Sequence, residues 1–176
     1  MPAEHKVRDL MIPIEEYSTV PTNATVKEAI EVLTKSFARL ESGEYAGHRS
    51  VLVIDENQQP VGLLTFRDLI KAIEPKFTID PSKVPGHSIP YTDLPDVAWD
   101  GYFTQRSQQE ARHPVSEVMR PLKLLTIDAD APLLKAVHMM VTNDVGSLPV
   151  TENGKVVGMI RINEVFMEIA NVVSKS

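Results

Sequence analysis

The sequence predicts an α/β fold built from two pseudo-symmetric β-α-β-β-α units that pack on each other and are separated by an insertion. Three observations predict it. One order of motifs is written twice along the chain. In each copy a segment of helical apolar period precedes two short apolar runs divided by a turn. Each copy then closes on a second amphipathic segment.

The elements follow in order. Val7-Arg8-Asp9-Leu10-Met11-Ile12-Pro13 returns as Val115-Ser116-Glu117-Val118-Met119-Arg120-Pro121, placing Met-x-Pro ahead of each first strand. Val26, Ala29, Ile30 and Leu33 share one helix face, and their counterparts are Leu133, Ala136, Val137 and Met140. Thr25 and Glu28 have capping-box spacing, and Pro132 suits a first helical turn. The first hairpin joins Val51-Leu52-Val53-Ile54 to Val61-Gly62-Leu63-Leu64 through Asp55 to Gln59. The second joins Leu148-Pro149-Val150-Thr151 to Val156-Val157-Gly158-Met159-Ile160 through Asn153-Gly154, whose residues tolerate positive φ. Phe66, Leu69, Ile70 and Ile73 mark the first closing helix, and Ile162, Val165, Phe166, Ile169 and Val173 the second. The first copy is longer, in the polar stretch from Lys35 to His48, which reads as an extended helix plus loop. Three short strands cannot bury both faces alone, so the units must pack together.

The organisation is therefore residues 1–74 for the first repeat, 75–112 for the insertion and 113–176 for the second repeat. Pro75, Pro81, Pro85, Pro90 and Pro95 discourage regular structure in the insertion. Ile89, Tyr91, Trp99, Tyr102 and Phe103 make it too apolar for a flexible linker. It reads as an ordered excursion, either a lid on the chain's own core or a partner surface.

Of the 176 residues, 43% are hydrophobic and 24% charged, an ordinary globular composition, and the formal net charge is −6. That balance argues against a general nucleic-acid or anionic-membrane binder, though not against one basic cleft. The absence of cysteine excludes disulfides, thiolate metal sites and cysteine nucleophiles. No apolar run reaches signal-peptide or membrane-span length, so a soluble, cytoplasmic protein is the expectation. His5, His48, His87, His113 and His138 are scattered without metal-ligand spacing. Phosphate-loop, nucleophile-elbow and dinucleotide fingerprints are missing too, so no enzyme is expected.

Met-x-Pro, the alanine-bearing first helix, the hairpin, Gly62-x-x-Thr65-x-x-Asp68-Leu69 and Val145-Gly146-Ser147-Leu148-Pro149-Val150, in this order and repeated, resemble the cystathionine-β-synthase (CBS) domain pair, or Bateman module. The resemblance covers nearly the whole chain outside the insertion and reads as a stand-alone member. It implies a regulatory sensor with no required cofactor that binds an adenosine-type ligand, AMP, ADP, ATP or S-adenosylmethionine, between the repeats. It further implies a homodimer and a regulated partner protein. The alternative is a ligand-independent dimerisation or interaction scaffold.

In the first repeat the resemblance implies that Asp68 takes the ribose hydroxyls and that Thr65 lies near the sugar or phosphate. An ionised carboxylate, being acceptor-only, suits vicinal hydroxyls, but the same two residues also make a plain helix cap. His48 and Arg49 match a phosphate-contacting pair in one branch of the family, or are a solvated loop end. Ile12, Pro13, Ser18, Thr19, Val20 and Val51, with Met11, are placed to flank an adenine, or simply to pack the core. In the second repeat Arg161 and Glu164 stand where Thr65 and Asp68 stand in the first, beside Ser147 and Pro149. Glutamate is a methylene longer than aspartate, so the expectation is one good site, in the first repeat, and a weak or empty second.

Overall fold

The computed structural model describes residues 4–38, 50–73, 96 and 100–175. It is a mixed α/β fold, and the described residues form two four-stranded sheets. In the first repeat β1 is Ile12–Pro13, β2 Thr19–Pro21, α1 Val26–Ala38, β3 Ser50–Ile54, β4 Pro60–Thr65 and α2 Phe66–Ile73. Helix α3, Tyr102–Glu110, follows in the insertion. The second repeat supplies β5 (Arg120–Pro121), β6 (Ile127–Asp128), α4 (Leu133–Asn143), β7 (Ser147–Glu152), β8 (Lys155–Arg161) and α5 (Ile162–Ser174).

Each repeat thus has two short strands before its first helix rather than one. The pair divides: the sheets run β2-β3-β4-β5 and β1-β8-β7-β6, so each repeat lends its leading strand to the other repeat's sheet. Ile12 pairs with Met159 and Pro13 with Gly158, while Gly62 pairs with Pro121 and Leu63 with Arg120. The exchange starts before the strands. Val7 N–H donates to Ala131 O and Val115 N–H to Ala24 O, at 2.9 and 2.8 Å. Val7 is buried in the second repeat's core and Val115 in the first's. A third cluster, Tyr17, Leu52, Leu63, Leu122 and Met159, draws on both repeats.

The exchange explains the repeated glycine and methionine. A Cβ added at Gly62 would overlap the Met119 sulfur, and one added at Gly158 would meet Ile12 O at 2.5 Å and the Met11 sulfur at 3.1 Å. Each methionine therefore occupies room left by a glycine of the other repeat.

Within each sheet the local chemistry is plain. β2 and β3 run parallel, as do β6 and β7, so each pair needs a helical crossover, which α1 and α4 provide. Asn153 and Gly154 have φ of 50° and 76°, as the tight β7–β8 turn requires. In the β3–β4 turn Asp55 Oδ1 accepts from the Asn57 and Gln59 amides, both at 2.9 Å. Thr25 and Glu28 form the expected capping box: Thr25 N–H donates to Glu28 Oε2 at 2.7 Å, and Glu28 N–H to Thr25 Oγ1 at 3.3 Å. That amide holds the exposed Glu28 carboxyl below its usual range. Pro132 is the residue before α4 rather than its first turn, with extended ψ of 141°.

From the insertion, α3 docks on the end of α2, where Arg106 Nη2 donates to Ala72 O at 3.1 Å. Tyr102 and Phe103 are exposed. Ile89, Tyr91 and Trp99 lie outside the described residues. The apolar stripe of α5 is only partly used: Val165 is buried, while Phe166, Ile169 and Val173 face outward.

Candidate functional site

β4 ends at Thr65 and α2 begins at Phe66, so the strand-to-helix turn presents Thr65 and Asp68 together at the C-terminal end of an inner strand. Thr65 N–H donates to Asp68 Oδ2 at 2.9 Å, Thr65 Oγ1–H to the same oxygen at 2.6 Å, and Asp68 N–H to Thr65 Oγ1 at 3.3 Å. This is the box already seen at Thr25 and Glu28, so the box alone does not mark a site. What differs is the environment. Asp68 is only 8% exposed and belongs to the few buried polar residues described. Burying a carboxylate is costly unless it is paired. The pairing comes from the other repeat: Arg120 Nε lies 3.2 Å from both Asp68 carboxylate oxygens.

Asp68 lines a cleft of about 620 Å³ to which both repeats contribute. Ser50, Thr65, Arg67 and Lys71 come from the first repeat, and Arg120, residues 143–147 and Arg161 from the second. Across the mouth, Arg67 Nη2 meets Asp144 Oδ2 at 3.0 Å, an exposed pair. Asp144 sits at the end of α4 with φ of 50°, a left-handed conformation that aspartate tolerates.

On the second-repeat side the pattern is different. Arg161 Nε donates to Glu164 Oε2 at 2.8 Å and Arg161 Nη2 to Glu164 Oε1, so the pair closes on itself. The carboxylate raises the Arg161 pKa further. Beside it, burial pushes the Tyr17 hydroxyl up to about 12, with Arg161 and Ser50 as its polar neighbours acting in the opposite direction.

Comparison with known proteins decides the family. The sequence model of the CBS domain matches residues 7–75 and 115–171. The chain belongs to the CBS-domain family. Among solved structures, CBSX2 in complex with AMP is 19% identical with TM-score 0.61, over 96% of this chain and 98% of that one. The CBS domains of a transcriptional regulator from Streptococcus pneumoniae are 18% identical with TM-score 0.55, over 93% and 98%. The cytosolic domain of the Mg2+ channel MgtE in complex with ATP is 23% identical with TM-score 0.54, over 90% of this chain and 46% of that one. These likenesses establish the Bateman-module fold. None of the curated proteins matches in sequence.

Set on the CBS fold, the residues singled out from sequence separate into groups. Thr65 and Asp68 line the cleft, as do Ser147 and Arg161. Glu164 is held by Arg161. His48 and Arg49 lie outside the described residues. Ser18, Thr19 and Val20 lie on or beside β2, in the sheet whose β4 runs into the helix carrying Asp68; Val20 and Val51 are buried in the first repeat's core. Pro149 pairs with Met159 inside the other sheet. Ile12 and Pro13 belong to β1, which pairs with β8 rather than joining the β2-β3-β4 sheet that leads into Asp68's helix. The place beside β4 is taken by Arg120 and Pro121.

Sequence reasoning missed Arg120, Lys71 and the Arg67–Asp144 contact. Repeat alignment equates Arg120 with Ile12, which hides an arginine's importance when each repeat is read as self-contained. Among the described residues no group of three or more His, Asp or Glu is arranged for a metal ion. No described helix is long and apolar enough to cross a membrane.

Proposed function

We propose that this CBS pair is a regulatory module that binds one adenosine-type ligand (AMP, ADP, ATP or S-adenosylmethionine) in the cleft beside Asp68. One observation carries the reading: a buried carboxylate, Asp68, opens on a cleft shared by both repeats, and its cationic partner among the described residues, Arg120, comes from the other repeat. A carboxylate with two oxygens can accept from the vicinal ribose hydroxyls. The AMP complex of CBSX2 and the ATP complex of MgtE support the ligand class. Because the cleft walls come from different repeats, a ligand that touches both biases their packing, and a partner protein reads that change. The module binds without turnover. The Arg161–Glu164 closure supports a single ligand site per chain.

Titration calorimetry with AMP, ADP, ATP and S-adenosylmethionine tests this. At least one compound binds at about one per chain, and Asp68→Ala weakens it by about tenfold or more. Two equal sites, or binding indifferent to Asp68→Ala, contradicts the reading, as does ATP turnover by the purified protein.

Apolar side chains exposed on α4 and α5 support the homodimer that the family resemblance implies. Leu134, Val141 and Phe166 there are 75%, 77% and 64% exposed. Light scattering then gives twice the chain mass, and Phe166→Glu gives the monomer.

A further inference from the structure

We infer that Arg120 and Lys71 form a phosphate-recognition pair, so that the cleft selects an adenosine phosphate over adenosine or S-adenosylmethionine. This rests on the reading of the cleft given above and names its ligand more closely.

Four cationic side chains, Arg67, Lys71, Arg120 and Arg161, line the cleft against two carboxylates, Asp68 and Asp144, in a chain whose formal net charge is −6. A cleft of opposite sign to the whole molecule concentrates anions locally. Two of these cations are committed to carboxylates, Arg67 to Asp144 and Arg161 to Glu164. The other two are not spent in the same way. Arg120 meets Asp68 through Nε alone, and its two Nη groups have no protein partner among the described residues. Its side chain is 41% exposed, so those donors reach solvent. The Lys71 ammonium has no ion-pair partner among the described residues, and it lies one turn beyond Asp68 on α2.

The geometry gives each group a task. Asp68 fixes the Nε edge of the guanidinium, and the free Nη edge is a planar donor fork suited to phosphate oxygens. Lys71 adds a mobile point charge on the same wall. The second repeat has no equivalent. By the repeat alignment, Ile12 stands where Arg120 stands, and Met167 where Lys71 stands. The charge asymmetry therefore assigns phosphate to the first-repeat side only. Because β5 carries Arg120 into the other repeat's sheet, a bound phosphate also ties the two repeats together.

The test compares AMP, adenosine and S-adenosylmethionine by calorimetry on wild type, Lys71→Met, Arg120→Met and Arg120→Lys. Thermal shift with inorganic pyrophosphate runs alongside. Wild type binds AMP about tenfold or more tighter than adenosine. Lys71→Met, at an exposed position, lowers AMP affinity severalfold and leaves adenosine affinity unchanged. Arg120→Met lowers AMP affinity about tenfold, and Arg120→Lys recovers part of it. Pyrophosphate raises the wild-type melting temperature and raises it less in Lys71→Met. Equal affinity for AMP and adenosine, or AMP affinity unmoved by both Lys71→Met and Arg120→Met, overturns the inference while leaving an adenosine site intact. If no adenosine compound binds wild type, the reading of the cleft falls, and pyrophosphate decides this pair separately: a shift lost in both variants supports it, and no shift overturns it.

Discussion

The strand exchange makes a quantitative prediction at two glycines. A methyl group at Gly158 would sit 2.5 Å from the backbone oxygen of Ile12, whereas one at Gly62 meets first the side-chain sulfur of Met119. A side-chain sulfur can swing aside; a backbone carbonyl in a paired strand cannot move alone. To reach a 3.0 Å contact, β1 must retreat by about half an ångström, and β1 is only two residues long. Overpacking of this kind costs about 1–3 kcal/mol. For a chain of this size each kcal/mol lowers Tm by about 2–4 °C. Gly158→Ala should therefore lose about 2 kcal/mol, or about 4–8 °C, and Gly62→Ala less. Gly146→Ala is the control, because nothing lies within 4 Å of its added Cβ; it should stay within about 0.5 kcal/mol of wild type. Urea denaturation and thermal melts measure all three. If Gly158→Ala is as stable as Gly146→Ala, β1 does not pack on β8 and the exchange is wrong.

Two further outcomes follow from the same structure. Burial raises the Tyr17 pKa to about 12 from an ordinary value of 10, so the unfolded chain loses that proton first. The contribution is fully present below pH 10 and is lost as pH rises toward 12. Wild type should then lose up to about 3 kcal/mol more than Tyr17→Phe over that window in urea titrations, and matching pH profiles would refute the burial argument. Thr25→Ala should cost about 1 kcal/mol as a lost cap, and Thr65→Ala about 2, since Asp68 is buried while Glu28 is exposed; equal costs by chemical denaturation would show that burial adds nothing at Asp68.

Much of this was legible in the residues. Short-range rules sufficed for the capping box at Thr25, the Asn153-Gly154 turn, the crossover helices and the Thr65–Asp68 corner, because each depends on neighbours a few positions apart. The repeat itself named the family. The site was only half legible. Asp68 could be marked by its motif, but not by its distinguishing features, which are its burial and its pairing with Arg120, 52 positions away.

The sequence by itself determined the crossover helices, hairpins and closing helices and that they form twice, since periodicity, turn residues and caps act locally. Only the tertiary structure decided where the leading strands go. A two-residue strand carries too little pattern to choose its sheet, and the choice rests on steric room at Gly62 and Gly158 and on backbone pairing between distant segments. That choice moved Ile12 and Pro13 to the other sheet and brought Arg120 to Asp68, and with it the charge of the cleft.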